Sequence, residues 1–206
     1  MRIERIERSK QEQGRVLVRL EGGGLLRITE DELLRFDLYT GLDITAETVV
    51  ELQKCAARSE TRLRAARIIS ARALSKWELT ERLCGKGASE EDAATAADWL
   101  EDIGALDDLA YAKAVARHYS GSGYGAAKIR DELRRRGVAR ELWDEALAEA
   151  PDAGETIARV IAAKTKGRTL DEKERKKLSG ALLRRGFAWR DVKAALRSLG
   201  AEIEEE

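Results

Sequence analysis

Side chains able to bind metals, shuttle protons or attack a substrate are scarce in this chain of 206 residues. His118 is its one histidine, so neither a two-histidine metal site nor a repeated His/Asp constellation can be built. Cys55 and Cys84 lack Cys-x-x-Cys spacing and a neighbouring histidine, which reads as reduced, buried thiols in a cytoplasmic protein. No serine or cysteine occupies a nucleophile elbow. Asp107-Asp108 and Glu90-Glu91-Asp92 could be paired carboxylates for acid–base work, but both fall where a helix start favours acids, so they are read as caps. Gly22-Gly23-Gly24 lacks the spaced lysine and Ser/Thr of a nucleotide loop and is read as a hairpin turn. The four tryptophans could stack bases. Apolar helical neighbours of Trp99, Trp143 and Trp189 predict core or inter-repeat packing instead, and Trp77 fits that reading least well.

The basic residues carry the stronger functional signal. Lys128, Arg130, Arg134 and Arg135 crowd one short helix and cannot all be buried. Arg130 and Arg134, four apart, share a face. Further on, Lys164, Lys166, Arg168, Arg175, Lys176, Lys177, Arg184 and Arg185 cluster around one loop and the helix after it. Phosphate contacts by such a stripe would be salt-sensitive. A solvated face with pairs to Asp131, Glu132 and Glu174 fits the same residues. No cofactor site is evident, and an enzyme is not expected.

The elements that position these residues follow a repeat. Three stretches place an apolar residue eight before a glycine, a leucine four before it and a cation one before it. They are Leu79, Leu83, Lys86, Gly87; Ile129, Leu133, Arg136, Gly137; and Leu178, Leu182, Arg185, Gly186. The glycines are 50 and 49 residues apart, a period that marks repeated supersecondary units. Glycine at such a place ends a helix in the left-handed conformation. The next residue (Ala88, Val138, Phe187) then packs against the leucine, and the cation complements the negative helix end. Six and ten residues past each glycine stand Ala93/Ala97, Trp143/Leu147 and Val192/Leu196, so the agreement extends into a following helix.

Capping signals divide the chain further. Thr29 to Glu32 opens a short helix through about Phe36, and another restarts near Ala46, carrying Val49, Val50, Leu52 and Ala56. No breaker separates it from the first repeat. There Leu63, Ala66, Ile69, Ala73 and Leu74 are expected to face inward. Ser75 to Glu78 and Ser89 to Asp92 start the second and third helices, the third burying Ala93, Ala97 and Leu100. Asp107-Asp108 opens the second repeat, whose helices use Leu109, Ala112, Val115, Ala116 and Tyr119, then residues up to Gly137, then Glu141 to Ala150. In the third, Ile157, Val160 and Ile161 precede the basic loop. Thr169 to Glu172 is expected to cap the next helix, and Trp189 to Leu199 closes the fold. Glu202–Glu206 reads as a frayed acidic tail.

Composition agrees: 43% hydrophobic, 37% charged, one proline, and rich in helix formers. Residues 15–20 and 25–28 are β-rich and flank the glycine turn, giving a small antiparallel hairpin, with 2–8 offering a third strand. The expected architecture is mostly α: three tandem three-helix repeats in an elongated curved array, after a small β-hairpin and helix extension. The boundaries are 1–58 for the extension and 59–107, 108–151 and 152–206 for the repeats. Formal charge is zero overall but runs −2, −3, +2 and +3 over residues 1–60, 61–108, 109–150 and 151–206. No apolar run is long enough to span a bilayer.

The Gly123–Val138 segment, with Leu106–Lys113 and Leu182–Phe187, resembles the RecX family of recombination regulators, over about 61–200. Thr40-Gly41-Leu42 and the hairpin resemble an extension that some members carry. Ala126 departs from the proline expected after Gly125. The resemblance implies a non-enzymatic cytoplasmic monomer acting in DNA repair, recombination and the SOS response. Such a protein binds the RecA filament on single-stranded DNA, lying in its groove, and modulates its ATPase and strand exchange, touching the DNA only weakly or indirectly. A direct DNA-binding regulator with a helix-turn-helix-like pair is the second reading.

Overall fold

A computed structural model describes the backbone of residues 1–10, 14–166, 168 and 170–201, and side chains through residue 198. The expected acidic tail, Glu202–Glu206, lies outside the described residues. The chain divides into two compact units, one of residues 1–72 and 79–105 and the other of residues 73–78 and 106–206.

The first unit opens with strands β1 (Ile3–Arg8), β2 (Arg15–Leu20) and β3 (Leu25–Thr29), an antiparallel meander in the order β1-β2-β3. The three glycines turn β2 into β3, with Gly22 and Gly23 at φ +91° and +87°, as the hairpin reading requires. Alternation puts Val16, Val18, Leu20, Leu26 and Ile28 on one face, where they form a core with Ile3, Leu38, Ile44, Val49 and Leu52. Helix α1 (Glu30–Arg35) starts from a complete Thr29/Glu32 capping box.

Helix α2 (Ala46–Ala71) is continuous for 26 residues. The expected boundary at 58/59 therefore falls inside a helix. Its lower half packs on the sheet and its upper half along α4 (Glu90–Asp102). The upper half buries Thr61 and Ala65, not the expected Leu63, which is exposed. Thr61 can be buried because its hydroxyl donates to the Ala57 carbonyl at 2.8 Å. The helix ends at Ala71, so Ala73 and Leu74 lie beyond it, with Leu74 buried. Helix α4 begins at the Ser89 cap and buries Ala93, Ala96, Ala97 and Leu100.

The start of helix α3 (Lys76–Cys84) belongs to the second unit. That unit continues with α5 (Asp108–Gly121), α6 (Ala126–Arg135), a 3-10 turn (Arg140–Leu142) running into α7 (Trp143–Ala148), α8 (Ala153–Thr165), α9 (Glu172–Arg184) and α10 (Trp189–Ala201). One core gathers Tyr111, Ala112, Val115, Ala116, Ile129, Leu133, Val138 and Ala146. A second gathers Ile157, Ile161, Leu178, Leu182, Phe187 and Val192. Trp143 packs at the edge of the first core, and its indole donates to the Val138 carbonyl at 3.0 Å. Trp189 departs from expectation: it is 56% exposed, because Phe187 and Val192 fill the interior on either side of it. Thr169, expected to cap α9, lies outside the described residues. The cap observed is Asp171, in a full box with Glu174.

All three glycine stops form, and with the same hydrogen bonds. The amide after each glycine donates to the leucine carbonyl five residues back: Ala88 to Leu83 at 3.1 Å, Val138 to Leu133 at 3.0 Å, Phe187 to Leu182 at 3.3 Å. Each glycine amide donates three residues back, to Cys84, Arg134 and Leu183. This is the Schellman pattern, and Leu83, Leu133 and Leu182 are fully buried beneath it.

Candidate functional site

Helix α6 shows how the sequence partitions its charges. Ile129, Glu132 and Leu133 are buried. The helical angle of 100° per residue then sends Arg130 and Arg134 to one flank and Lys128 and Arg135 to the other. Arg130 meets Asp144 at 3.1 Å and Arg134 meets Asp131 at 2.8 Å. Arg135 reaches Glu132 at 2.6 Å while its own side chain stays 71% exposed. Lys128 is exposed and makes no ion pair among the described residues.

The candidates of the third repeat separate similarly. Lys164 lies on α8, and Lys166 ends that helix at φ +50°. Arg168 pairs with Glu174 at 2.8 Å. Lys164, Arg168 and Lys177 do come together, lining an open pocket of about 410 Å³ with Glu174 and Leu178. Lys176, Lys177 and Arg184 are exposed on α9 with no acidic partner among the described residues. Lys173, not anticipated from sequence, falls in line with Lys177 and Arg184 at positions i, i+4 and i+11. Arg185 turns inward: its guanidinium donates to the Gly123 carbonyl at 3.2 Å and lies over the Tyr124 ring at 5.7 Å.

The feature that sequence reasoning missed is a half-buried charged network around Arg136. Glu132 accepts from Arg135 and from Arg136, each at 2.6 Å. Arg136 also donates to the Tyr111 hydroxyl, which donates onward to Glu78 at 2.6 Å. Glu78 belongs to the Ser75 capping box of α3, and the Ser75 hydroxyl donates to the Arg136 carbonyl. Burial alone would push the Glu132 carboxyl up, but hydrogen bonds from Arg135, Arg136 and Tyr119 hold it at about 2. For Arg136 burial works against the charge, and the bonds to Tyr111 and Glu132 outweigh it, holding the guanidinium above its ordinary range. Burial, then the bond to Glu78, pushes the Tyr111 hydroxyl up. The one available signal was Tyr111 itself, a large polar side chain on the inward face of α5.

Two helix starts are seated on glycine stops. Trp77, at the start of α3, lies so close to Gly137 that a Cβ there would meet its ring at 2.5 Å. At the start of α6, Gly125 and Ala127 donate backbone hydrogen bonds to the carbonyls of Arg185 (2.9 Å) and Gly186 (3.1 Å). A recognition helix of a helix-turn-helix reads bases with its N-terminal residues. The first turn of α6 is already occupied, which argues against that use.

Among the described residues no three His, Cys, Asp or Glu side chains converge as a metal site would. His118 is exposed, its ring edge-on to Tyr119. Asp107 and Ser89 cap helices, as their positions predicted. No described helix is long and apolar enough to cross a membrane.

Residues 107–147 match the family model described as RecX, second three-helix domain. The regulatory protein RecX of Vibrio campbellii is 36% identical over 134 residues, covering 64% of this chain and 86% of that protein. The crystal structure of a regulatory protein RecX aligns with 95% of this chain and 98% of its own at a TM-score of 0.78 and 21% identity. That of RecX from Lactobacillus salivarius aligns with 70% and 97% at a TM-score of 0.62 and 18% identity.

Proposed function

The chain belongs to the RecX family of regulatory proteins, and from that premise we propose that it binds the RecA recombinase filament on single-stranded DNA and slows its ATP hydrolysis and strand exchange. The observation that carries the reading is the set of exposed cations without acidic partners among the described residues, Lys128 on α6 and Lys176, Lys177 and Arg184 on α9. Many acids of the same unit are engaged as caps (Asp107, Asp152, Asp171) or in ion pairs (Asp131, Glu132, Asp144, Glu149), and exposed cations beside them suit a regulator that docks on a charged polymer. Arg130, Arg134 and Arg135 join the contact by exchanging their present partners for those of the filament. Lys164, Lys166 and Arg168 extend it around the pocket beside α9. Arg185 is held inward and supports the fold.

The test is a titration into RecA assembled on single-stranded DNA, with ATP hydrolysis and filament length followed. Slower hydrolysis with increasing protein is expected. No change in either quantity at excess protein would sink the proposal.

A further inference from the structure

The outer face of the three-stranded sheet, in the first unit, carries positive charge that the described residues pair only in part. Strand alternation puts Arg15, Leu17 and Arg19 of β2 on that face. The pairing register sets Arg5 directly opposite Arg19, and Arg27 opposite Leu17. Like charges directly opposite destabilise a sheet. Glu7 relieves part of this, meeting Arg5 at 2.6 Å and Arg19 at 3.9 Å. At the rim Arg8 pairs with Glu30 at 3.1 Å. Lys10 and Arg27 have no ion pair among the described residues.

Arg15 is the more telling residue. Only 6% of its surface is exposed, and its guanidinium donates to the Ser59 hydroxyl at 3.0 Å, with no carboxylate partner among the described residues. A buried guanidinium without a counter-charge is costly. It lines an open pocket of about 560 Å³ with Arg8, Lys10, Arg27, Glu7 and Leu17. This is the arrangement expected of a site whose anion arrives from outside.

We propose that this face binds the phosphodiester backbone of nucleic acid, with a phosphate at Arg15 and Arg27 and the strand continuing across Arg19 and Arg5. Guanidinium forks match phosphate oxygens two at a time. Neighbouring strands lie about 4.8 Å apart and alternate residues about 7 Å apart, so the cations extend beyond one phosphate and suit a polymer of them. The three strands contain no aromatic residue. Base stacking is therefore absent from the design, and binding is independent of sequence. The contact is built from residues of the first unit alone and does not rest on the filament reading.

The experiment is fluorescence anisotropy of a labelled single-stranded oligothymidylate against the full chain, over a range of salt concentrations. Removing two phosphate contacts with R19E/R27E, both at exposed positions, should make the log–log salt slope shallower by about 1.4. At 0.1 M salt the same counterion term corresponds to an affinity loss of about 25-fold. Arg15→Met should also weaken binding while leaving thermal stability unchanged or raised, since it removes a buried charge that has no carboxylate partner among the described residues. R130E/R134E should leave the contribution of Arg19 and Arg27 to the slope intact. The proposal is overturned if R19E/R27E binds with the wild-type slope and affinity, or if wild type does not bind. It is overturned equally if polyglutamate displaces the oligonucleotide at equal charge concentration, or if millimolar inorganic phosphate does so completely.

Discussion

Replacing Glu132 by glutamine should expose how much of the second unit rests on its charged network. The carboxyl is held at about 2 against an ordinary 4.5. A folded-state value below the unfolded one means stability present above the unfolded value and lost as pH falls towards the folded one. A carboxyl held at about 2 instead of 4.5 corresponds to about 3.4 kcal/mol at pH 7. That is a ceiling, because one of the two guanidinium partners, Arg135, is largely exposed to solvent. By the same linkage the contribution shrinks to about 1.4 kcal/mol at pH 3. Glutamine keeps the shape and mimics the protonated acid, so subtracting the variant from the wild type cancels the titration of every other carboxylate. Urea denaturation followed by circular dichroism should give a wild-type advantage of about 2–3 kcal/mol from pH 8 to pH 5, narrowing by about 2 kcal/mol at pH 3. An advantage below about 0.5 kcal/mol, or one that does not change with pH, would refute the reasoning, since an exposed pair is worth no more than that.

Other perturbations separate the roles of individual residues. Gly87 and Gly186 sit at φ +89° and +87°, so alanine at either should cost about 1–2 kcal/mol of left-handed strain. At Gly186 the new Cβ also strikes the Lys128 backbone, whereas Gly87 has nothing within 4 Å. Gly186→Ala should therefore cost at least about 1 kcal/mol more by urea denaturation, and equal costs would contradict a tight seat for α6. Tyr111→Phe removes the hydroxyl that bridges Glu78 and Arg136, leaving only their direct approach of 3.9 Å, and should cost about 1–2 kcal/mol; a neutral outcome would remove Tyr111 from the network. On the RecA reading, K177E/R184E should weaken slowing of ATP hydrolysis by about 1–2 kcal/mol, roughly five- to thirtyfold in potency. R130E/R134E should weaken it less, because Arg130 and Arg134 already have acidic partners. The reverse order would mean that the contact is not carried by the cations that lack acidic partners among the described residues.

The helix stops were legible because their chemistry is local: glycine, the residue after it and a leucine four before fix the bonds of each turn. The interior of α2 was read out of phase, with Leu63 expected inside where Thr61 and Ala65 lie. The helix serves the sheet along one half and α4 along the other, so no single apolar stripe runs its length. Trp189 was misplaced for a related reason. Apolar residues crowd that stretch, and which of them is inside depends on Phe187 and Val192 closing the core first. The Arg136 network was beyond a sequence reading. Glu132 and Arg136 at i and i+4 look like an ordinary solvated pair. What buries them is Tyr111 on another helix, joined to a capping glutamate on a third.

That network also explains why the repeat conserves geometry while changing its chemistry. Each helix that ends at a stop glycine presents unsatisfied carbonyls at its negative end. In the third copy the carbonyls of Arg185 and Gly186 receive backbone amides from the positive start of α6. In the second, the Arg136 carbonyl receives the Ser75 hydroxyl from the start of α3. In the first, the Lys86 carbonyl receives the Arg64 guanidinium at 2.9 Å, and nothing crowds Gly87. The glycine thus does two jobs where a helix start is seated on it, ending one helix and admitting the next within contact distance, and one job where none is. The residue before the glycine follows suit. Arg136 and Arg185 turn back over Tyr111 and Tyr124 to brace the seat, while Lys86, with no helix start to brace, stays exposed. A cation that looked like a helix-end charge in all three copies is therefore a packing element in two of them.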